Sequence, residues 1–297
     1  MPLPSNTKAK AQFIDRDYQP GSTKNNRVSI QLRLDGFSFV QIDSISNKVL
    51  FFEDFLIPIM LGDEAEFQYE KLTLRFESLL NEKQEFSQAF KSVHIVIDNE
   101  FYTLIPEVLY SERRIEDYLK LTHVLPENFL VKSNTLRFSE SKLVFGIYAP
   151  LFYLLSDHFQ NFELRHFSNL FIQQSALLQK TSGESKIYVN VNEKSIYILA
   201  FENDKLLFSN SFAFKEKEDF LYYILLIYNQ MNFNPEKNPL VFSGNIDRAS
   251  DLYAIAYQYI SNINFHPIKS DGIIFGRDFP ETFKSKYCVL IQSVICE

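Results

Sequence analysis

The sequence predicts a mixed α/β protein of two tandem domains, each a mixed five-stranded sheet with helices. Three observations carry this. The stretch 186–214 lies without a gap on 29–57 when slid back by 157 positions, with six identities: Ile30/Ile187, Ser38/Ser195, Lys48/Lys205, Leu50/Leu207, Phe51/Phe208 and Phe55/Phe212. Both stretches alternate apolar and polar residues at the two-residue period of half-buried strands. Turn pairs fall at matching places, Asp35-Gly36 with Asn192-Glu193 and Ser46-Asn47 with Asn203-Asp204, so each copy reads as a three-stranded meander.

In chain order, residues 1–26 are polar, with Lys8, Lys10, Arg16 and Lys24, and are expected to be a flexible tail that can dock on the body. The first domain spans 27–180. Its strands are predicted at 28–34, 37–43 and 48–55, and Pro58 and Gly62 end that pattern. A helix begins at Asp63, with Asp63, Glu64 and Glu66 in a first turn where the helix dipole favours acids. The run SVHIVID at 92–98 is apolar enough for a central parallel strand covered on both faces. Residues 99–143 have no counterpart in the second half and read as an insertion. It holds FYTLIP, a helix at 112–121 capped by Ser111, and a polar loop up to Ser141. A buried strand at 143–148, a helix at 150–159 opened by Pro150, a short strand at 162–166 and a helix at 167–179 complete the domain.

The small polar run Thr181 to Glu184 separates the domains, and the second spans 185–297. After its meander, 216–232 carries an apolar stripe of Phe220, Leu221, Ile224, Leu225, Ile227, Tyr228 and Met231, the strongest helix signal in the chain. A strand at 240–242, the turn Ser243-Gly244-Asn245, a helix at 249–260 and a fifth strand at 264–268 follow. A helix at 280–296 closes the chain.

Composition narrows the function classes. Hydrophobic residues make up 46% of the chain, with 30 Phe and 16 Tyr against 8 Gly, which is a core-forming composition. A net charge of −7 speaks against a broad nucleic-acid surface, which needs clustered Lys and Arg. Cys288 and Cys296 are too few for a disulfide scaffold or a Cys-rich metal site. No apolar run suits a membrane span or a signal-peptide core, so a cytoplasmic protein is expected. His94, His123, His158, His166 and His266 show no metal-ligand spacing, and no Walker loop, G-x-S-x-G elbow or G-x-G-x-x-G is present.

A meander, helix, strand, helix and strand, repeated, is the element order of the ribonuclease H-like unit doubled in actin-like ATPases. The segments VSIQLRLDGFSF, FYTLIP with YLKLTH, KIYVNVN, and LLFSNSFAFKEKEDFLYYIL with LVFSGNI resemble an uncharacterised bacterial family, a domain of unknown function with the actin-like ATPase fold. The resemblance implies ATP with magnesium as the candidate cofactor. Working members clasp the phosphates between the first hairpins of the two domains, where glycine and Ser or Thr let backbone N–H groups approach. It maps Asp35, Gly36 and Ser38 to the first hairpin, Asn192 and Ser195 to the second, and Ser243, Gly244 and Asn245 to the adenosine turn. Asp35 is the candidate catalytic acid. The second hairpin has no glycine and carries Asn192 where an acid is expected, so hydrolysis should be lost before binding.

The resulting expectation is a degenerate actin-like protein that acts by binding a protein partner through the interdomain cleft or a face of the insertion. Two alternatives follow from the same resemblance: an active ATPase or phosphotransferase using Asp35, and a scaffold or filament subunit.

Overall fold

The alternating beat of each half becomes an antiparallel meander in the computed structural model, which describes residues 9–59, 65–180, 182–267 and 272–295. The first domain opens with β1 (Ala11–Ile14), β2 (Asn26–Arg33), β3 (Gly36–Asp43) and β4 (Val49–Leu56). After α1 (Ala65–Glu82), β5 (Ser92–Asp98) joins β2 in parallel, with Ile30 opposite Ile95, and is buried along nearly its whole length. Then come β6 (Tyr102–Pro106), α2 (Ile115–Lys120), β7 (Phe129–Leu136), β8 (Ser141–Tyr148), α3 (Ala149–His158), β9 (Glu163–His166) and α4 (Phe167–Gln179). The main sheet has the order β1-β4-β3-β2-β5-β9, and β6-β8-β7 form a separate antiparallel sheet.

The second domain contains β10 (Lys186–Val191), β11 (Ser195–Glu202), β12 (Lys205–Ala213), α5 (Lys217–Gln230), β13 (Leu240–Gly244), α6 (Asp251–Tyr257) and β14 (Ile263–Phe265). Its sheet runs β12-β11-β10-β13-β14. The helix α5 starts on a reciprocal cap between Glu216 and Asp219, which satisfies backbone N–H groups that the first turn leaves free. It ends before Asn232, whose φ of 55° is left-handed. Two short helices, α7 (Glu281–Lys286) and α8 (Cys288–Ser293), close the described chain.

Several expectations are corrected. Of the expected 1–26 tail, residues 1–8 lie outside the described residues, but β1 pairs with β4 and Thr23 Oγ1 donates to the Ala89 carbonyl at 2.8 Å. The polar loop before Ser141 is mostly the strand β7, whose side chains stay half-buried on an edge and so tolerate a polar sequence. Strand β8 consequently belongs to the inserted sheet, not to the main one. Ser111 precedes a 3-10 turn without capping it through its side chain. The fifth strand, expected at 264–268, is Ile263–Phe265, and Ile268 lies outside the described residues. So do Gly62, Asp63, Glu64, Thr181 and Cys296.

The closing helix is split in two, and its apolar side covers the first domain. Phe279, Tyr287, Leu290, Ile291 and Val294 pack with Val40, Ile42 and Phe52 on the meander of that domain. Amphipathicity says that a helix has a covered face; it cannot say which sheet covers it. Between the two domains lies α4, buried along nearly its whole length, and one apolar cluster runs through it from β5 to Tyr188, Tyr197, Leu199 and Phe201 of the second sheet. The domains therefore share a continuous core.

The repeat itself needs a two-residue correction. Ile57 N–H donates to the Asp35 carbonyl at 2.7 Å, and Phe214 N–H donates to that of Lys194 at 3.0 Å. The bulges match likewise, at Gln41/Ile42 opposite Phe51 and at Ala200/Phe201 opposite Phe208. Strands β4 and β12 thus correspond at the offset of 157 read from the sequence. The strands before them correspond two residues further on, because the turn between Asp43 and Lys48, which bond across it, holds four residues and the turn between the paired Glu202 and Lys205 holds two. An even slip keeps every side chain on its face, so the apolar beats coincide under either alignment. The counterpart of Asp35 is Lys194, and Asn192 stands where the first copy has Arg33.

Candidate interdomain site

Both hairpins, the end of β13 and α7–α8 converge on one place between the domains. Asp35, Asn192 and Asn245 line it together with Lys10, Gln31, Arg33, Asp54, Asn190, Lys286 and Tyr287. At its centre is Arg33 on the last step of β2, which sequence reasoning passed over. Its guanidinium bonds Asp35 Oδ1 at 3.1 Å, Asp54 Oδ1 at 2.9 Å and Ser38 Oγ at 2.6 Å. Burial would favour losing its proton, but Asp35, Asp54 and Asp98 more than offset that and hold it charged. Asp54 is buried, which raises a carboxyl, yet Arg33, Ser38 and Tyr287 hold its pKa below the ordinary value; Tyr287 Oη donates to it at 2.8 Å. Across the gap Lys10 pairs with Glu193 at 2.7 Å and ties the N-terminal segment to the second hairpin.

The predicted glycines serve the sheets. Gly36 has a φ of 149°, and a Cβ there would strike the carbonyl oxygen of Phe55 on β4. Gly244 has a φ of 86°, and its Cβ would strike the backbone of Val191 on β10. Ser243 is buried and accepts from Asn190 Nδ2 at 2.9 Å, while Ser38 is committed to Asp54 at 2.5 Å. Ser195 closes its own hairpin by accepting Asn192 N–H at 2.8 Å. The structure thus brings Asp35, Asn192 and Asn245 to one site, places Ser195 with Asp35 and Asn192 on the wall of the cavity beside it, and spends Gly36, Ser38, Ser243 and Gly244 on holding the sheets.

The space left measures about 40 Å³, enough for a few waters and far below the several hundred Å³ of a nucleotide-sized site. A magnesium triphosphate does not fit these residues: the cation position among the acids is taken by the Arg33 guanidinium, paired with both Asp35 and Asp54. Among the described residues no group of three or more His, Cys, Asp or Glu is arranged to hold a metal ion.

A second cavity of about 560 Å³ opens beside the hairpins. Apolar residues including Leu56, Ile57, Tyr69 and Phe212 form much of it, and Asp35, Asp98, Glu100 and Glu193 outnumber Arg33 and Lys194 on its walls. That balance disfavours a polyanion. Burial pushes the Asp98 carboxyl up to about 6 against donors that favour its charge: Tyr197 Oη at 2.7 Å and Gln31 Nε2 at 2.6 Å. The signals that could have found this site were Arg33 inside an apolar strand and Asp98 ending a buried one.

The layout is that of the actin-like ATPase fold. A Bacteroides thetaiotaomicron protein described as having that fold and unknown function superposes with a TM-score of 0.76 at 23% identity, over 94% of this chain and 99% of its own. A structure of the PilM-PilN type IV pilus biogenesis complex matches with a TM-score of 0.57 at 10% identity, over 91% of this chain and 97% of the other. No curated protein matches the sequence. The chain belongs to the family described as "Protein of unknown function (DUF3822)", whose model matches residues 15–263. No helix among the described residues is long and apolar enough to cross a membrane.

Proposed function

We propose that the chain is a cytosolic binding protein built on the actin-like ATPase fold, without efficient hydrolysis, which acts through a protein partner. The observation that carries this reading is the Arg33 guanidinium fixed between Asp35 and Asp54 in a gap of about 40 Å³. Phosphoryl transfer needs a positioned metal and an in-line nucleophile, and a buried cation held by both acids leaves no place for either. The shared core across α4 supports the same view, since a cleft that must open for nucleotide exchange would have to break it. The cavity of about 560 Å³, apolar and acid-rimmed, is the contact surface this reading assigns to a partner's apolar or basic side chains. The free, buried thiol of Cys288 is in keeping with a reducing compartment.

Isothermal titration of the full chain with MgATP and with ADP, alongside a phosphate-release assay, tests the reading. The expected result is no saturable heat and no phosphate above the protein-free blank. Micromolar nucleotide binding with phosphate release that Asp35→Asn abolishes would overturn it in favour of an active ATPase.

A further inference from the structure

The two copies treat the same sheet edge differently. In the first domain β1 pairs with β4 from Phe51 to Asp54, and the Tyr18 ring lies over Phe51 with centroids 4.8 Å apart. In the second, β12 ends the sheet, and no strand among the described residues lies beyond it. The Ser211 N–H points off this edge, where the adjacent Asn210 Oδ1 accepts it at 2.9 Å. From Leu206 to Ala213 the strand carries neither a charge nor a proline, the devices that ordinarily guard a long open edge. Phe208 and Phe212 are only half-buried, and Phe212 continues into Tyr223 at 4.6 Å and the exposed Tyr222.

The occupant is written in the strand. Around Asn210 the residues read alike in both directions: Phe208, Ser209, Asn210, Ser211, Phe212. An antiparallel pair reverses direction, and a two-fold contact demands a self-complementary patch. We infer that β12 pairs antiparallel with β12 of a second copy of this chain, about an axis through Asn210, which joins the two second-domain sheets into one.

The register follows from the outward amide of Ser211. Ser211 and the partner's Ser209 exchange both backbone hydrogen bonds, and Asn210 Oδ1 releases the amide it holds in the single chain. Phe208 then stands opposite the partner's Phe212 in the closer, non-hydrogen-bonded kind of pair, where aromatic side chains meet. The side chain of Ser209 lies on the other face, 3.3 Å from Tyr102 Oη, and is small enough to leave the first domain where it is. A contact of this kind closes on itself and does not propagate into a filament. It is independent of whether nucleotide binds.

Light scattering of the full chain across a dilution series is expected to give a dimer that dissociates on dilution. Asn210 is exposed, so N210K and N210E keep the fold while setting like charges against each other on the axis. Each runs as a monomer, and mixing them restores a heterodimer. Hydrogen exchange of the unmodified chain provides a second readout, with Ser209 and Ser211 amides slower in concentrated than in dilute protein. A monomer at every concentration, a dimer indifferent to both substitutions, a mixture that stays monomeric although both variants melt like the parent, or edge amides indifferent to concentration would each overturn the inference.

Discussion

Phe51 and Phe55 on β4 and Phe208 and Phe212 on β12 are the same residues at the same steps of a duplicated strand. The first pair is only 3% exposed, whereas the second is half-buried. What differs is the company: the N-terminal segment lies along β4 and over Phe51, Phe55 packs on Phe37 and Phe39, and no described strand lies beyond β12. The hairpins diverge in the same manner. Where the first copy has Arg33 and Asp98, bonded into a buried network, the second has Asn192 and Asn245, on or near the surface. Duplication kept the strands and their beat, while each copy acquired its own neighbours.

The sharpest test of that contrast is at the hairpins. Arg33→Ala leaves Asp54 and Asp98 buried without their counter-charge and is expected to cost about 3–5 kcal/mol in urea unfolding. Asn192→Ala at the matching position should cost less than about 1 kcal/mol. Equal losses would mean that the hairpins are energetically equivalent after all.

A second pair of variants weighs the two edges. Phe55→Ala should lose about 3–5 kcal/mol, as a fully packed ring does, and Phe212→Ala only about 1–2 kcal/mol in dilute protein, because part of its surface is already wet. If Phe212→Ala costs as much as Phe55→Ala under dilution, the cover on β12 is complete within one chain.

The smallest effect is pH-dependent. Asp98→Asn turns the first copy's acid into the residue type of the second. The folded state holds the Asp98 proton up to about pH 6, against an ordinary value of 3.8. Between those values the folded form therefore binds more protons than the unfolded one, and the contribution of Asp98 to stability falls as pH rises. The stability difference between variant and parent should move in favour of Asp98→Asn by about 1–2 kcal/mol from pH 4 to pH 6, then level off. Taking the difference cancels the opposing trend of His166, whose pKa burial lowers to about 3 and whose contribution grows over the same range. A flat difference would place the Asp98 carboxyl in contact with water.

Much of the architecture was legible because it rests on local periodicity. The spans of β5 and α4 were read residue for residue, since a buried apolar run and a long helical stripe depend little on context. Strand β7 escaped because an edge strand can carry Lys132, Ser133, Asn134 and Thr135 without cost. The site was half legible: Asp35, Asn192 and Asn245 do meet, but Arg33 looked like any polar step of an alternating strand. Asp35 and Ser38 lie close to it in sequence, but Asp54 is twenty-one positions away and Asp98, which acts on it through its charge, far beyond that. No spacing rule links them.

By itself the amino-acid order determined two sheet-forming units, their helices and the faces their side chains take, because hydrophobic alternation and turn chemistry act over a few residues. Only the tertiary structure decided that α7 and α8 return to the first domain, that a two-residue loop difference shifts the hairpins, and that Arg33 fills the gap between them. Those outcomes depend on which distant surfaces bury each other and on which charges share a low-dielectric space, and neither is encoded at any single position.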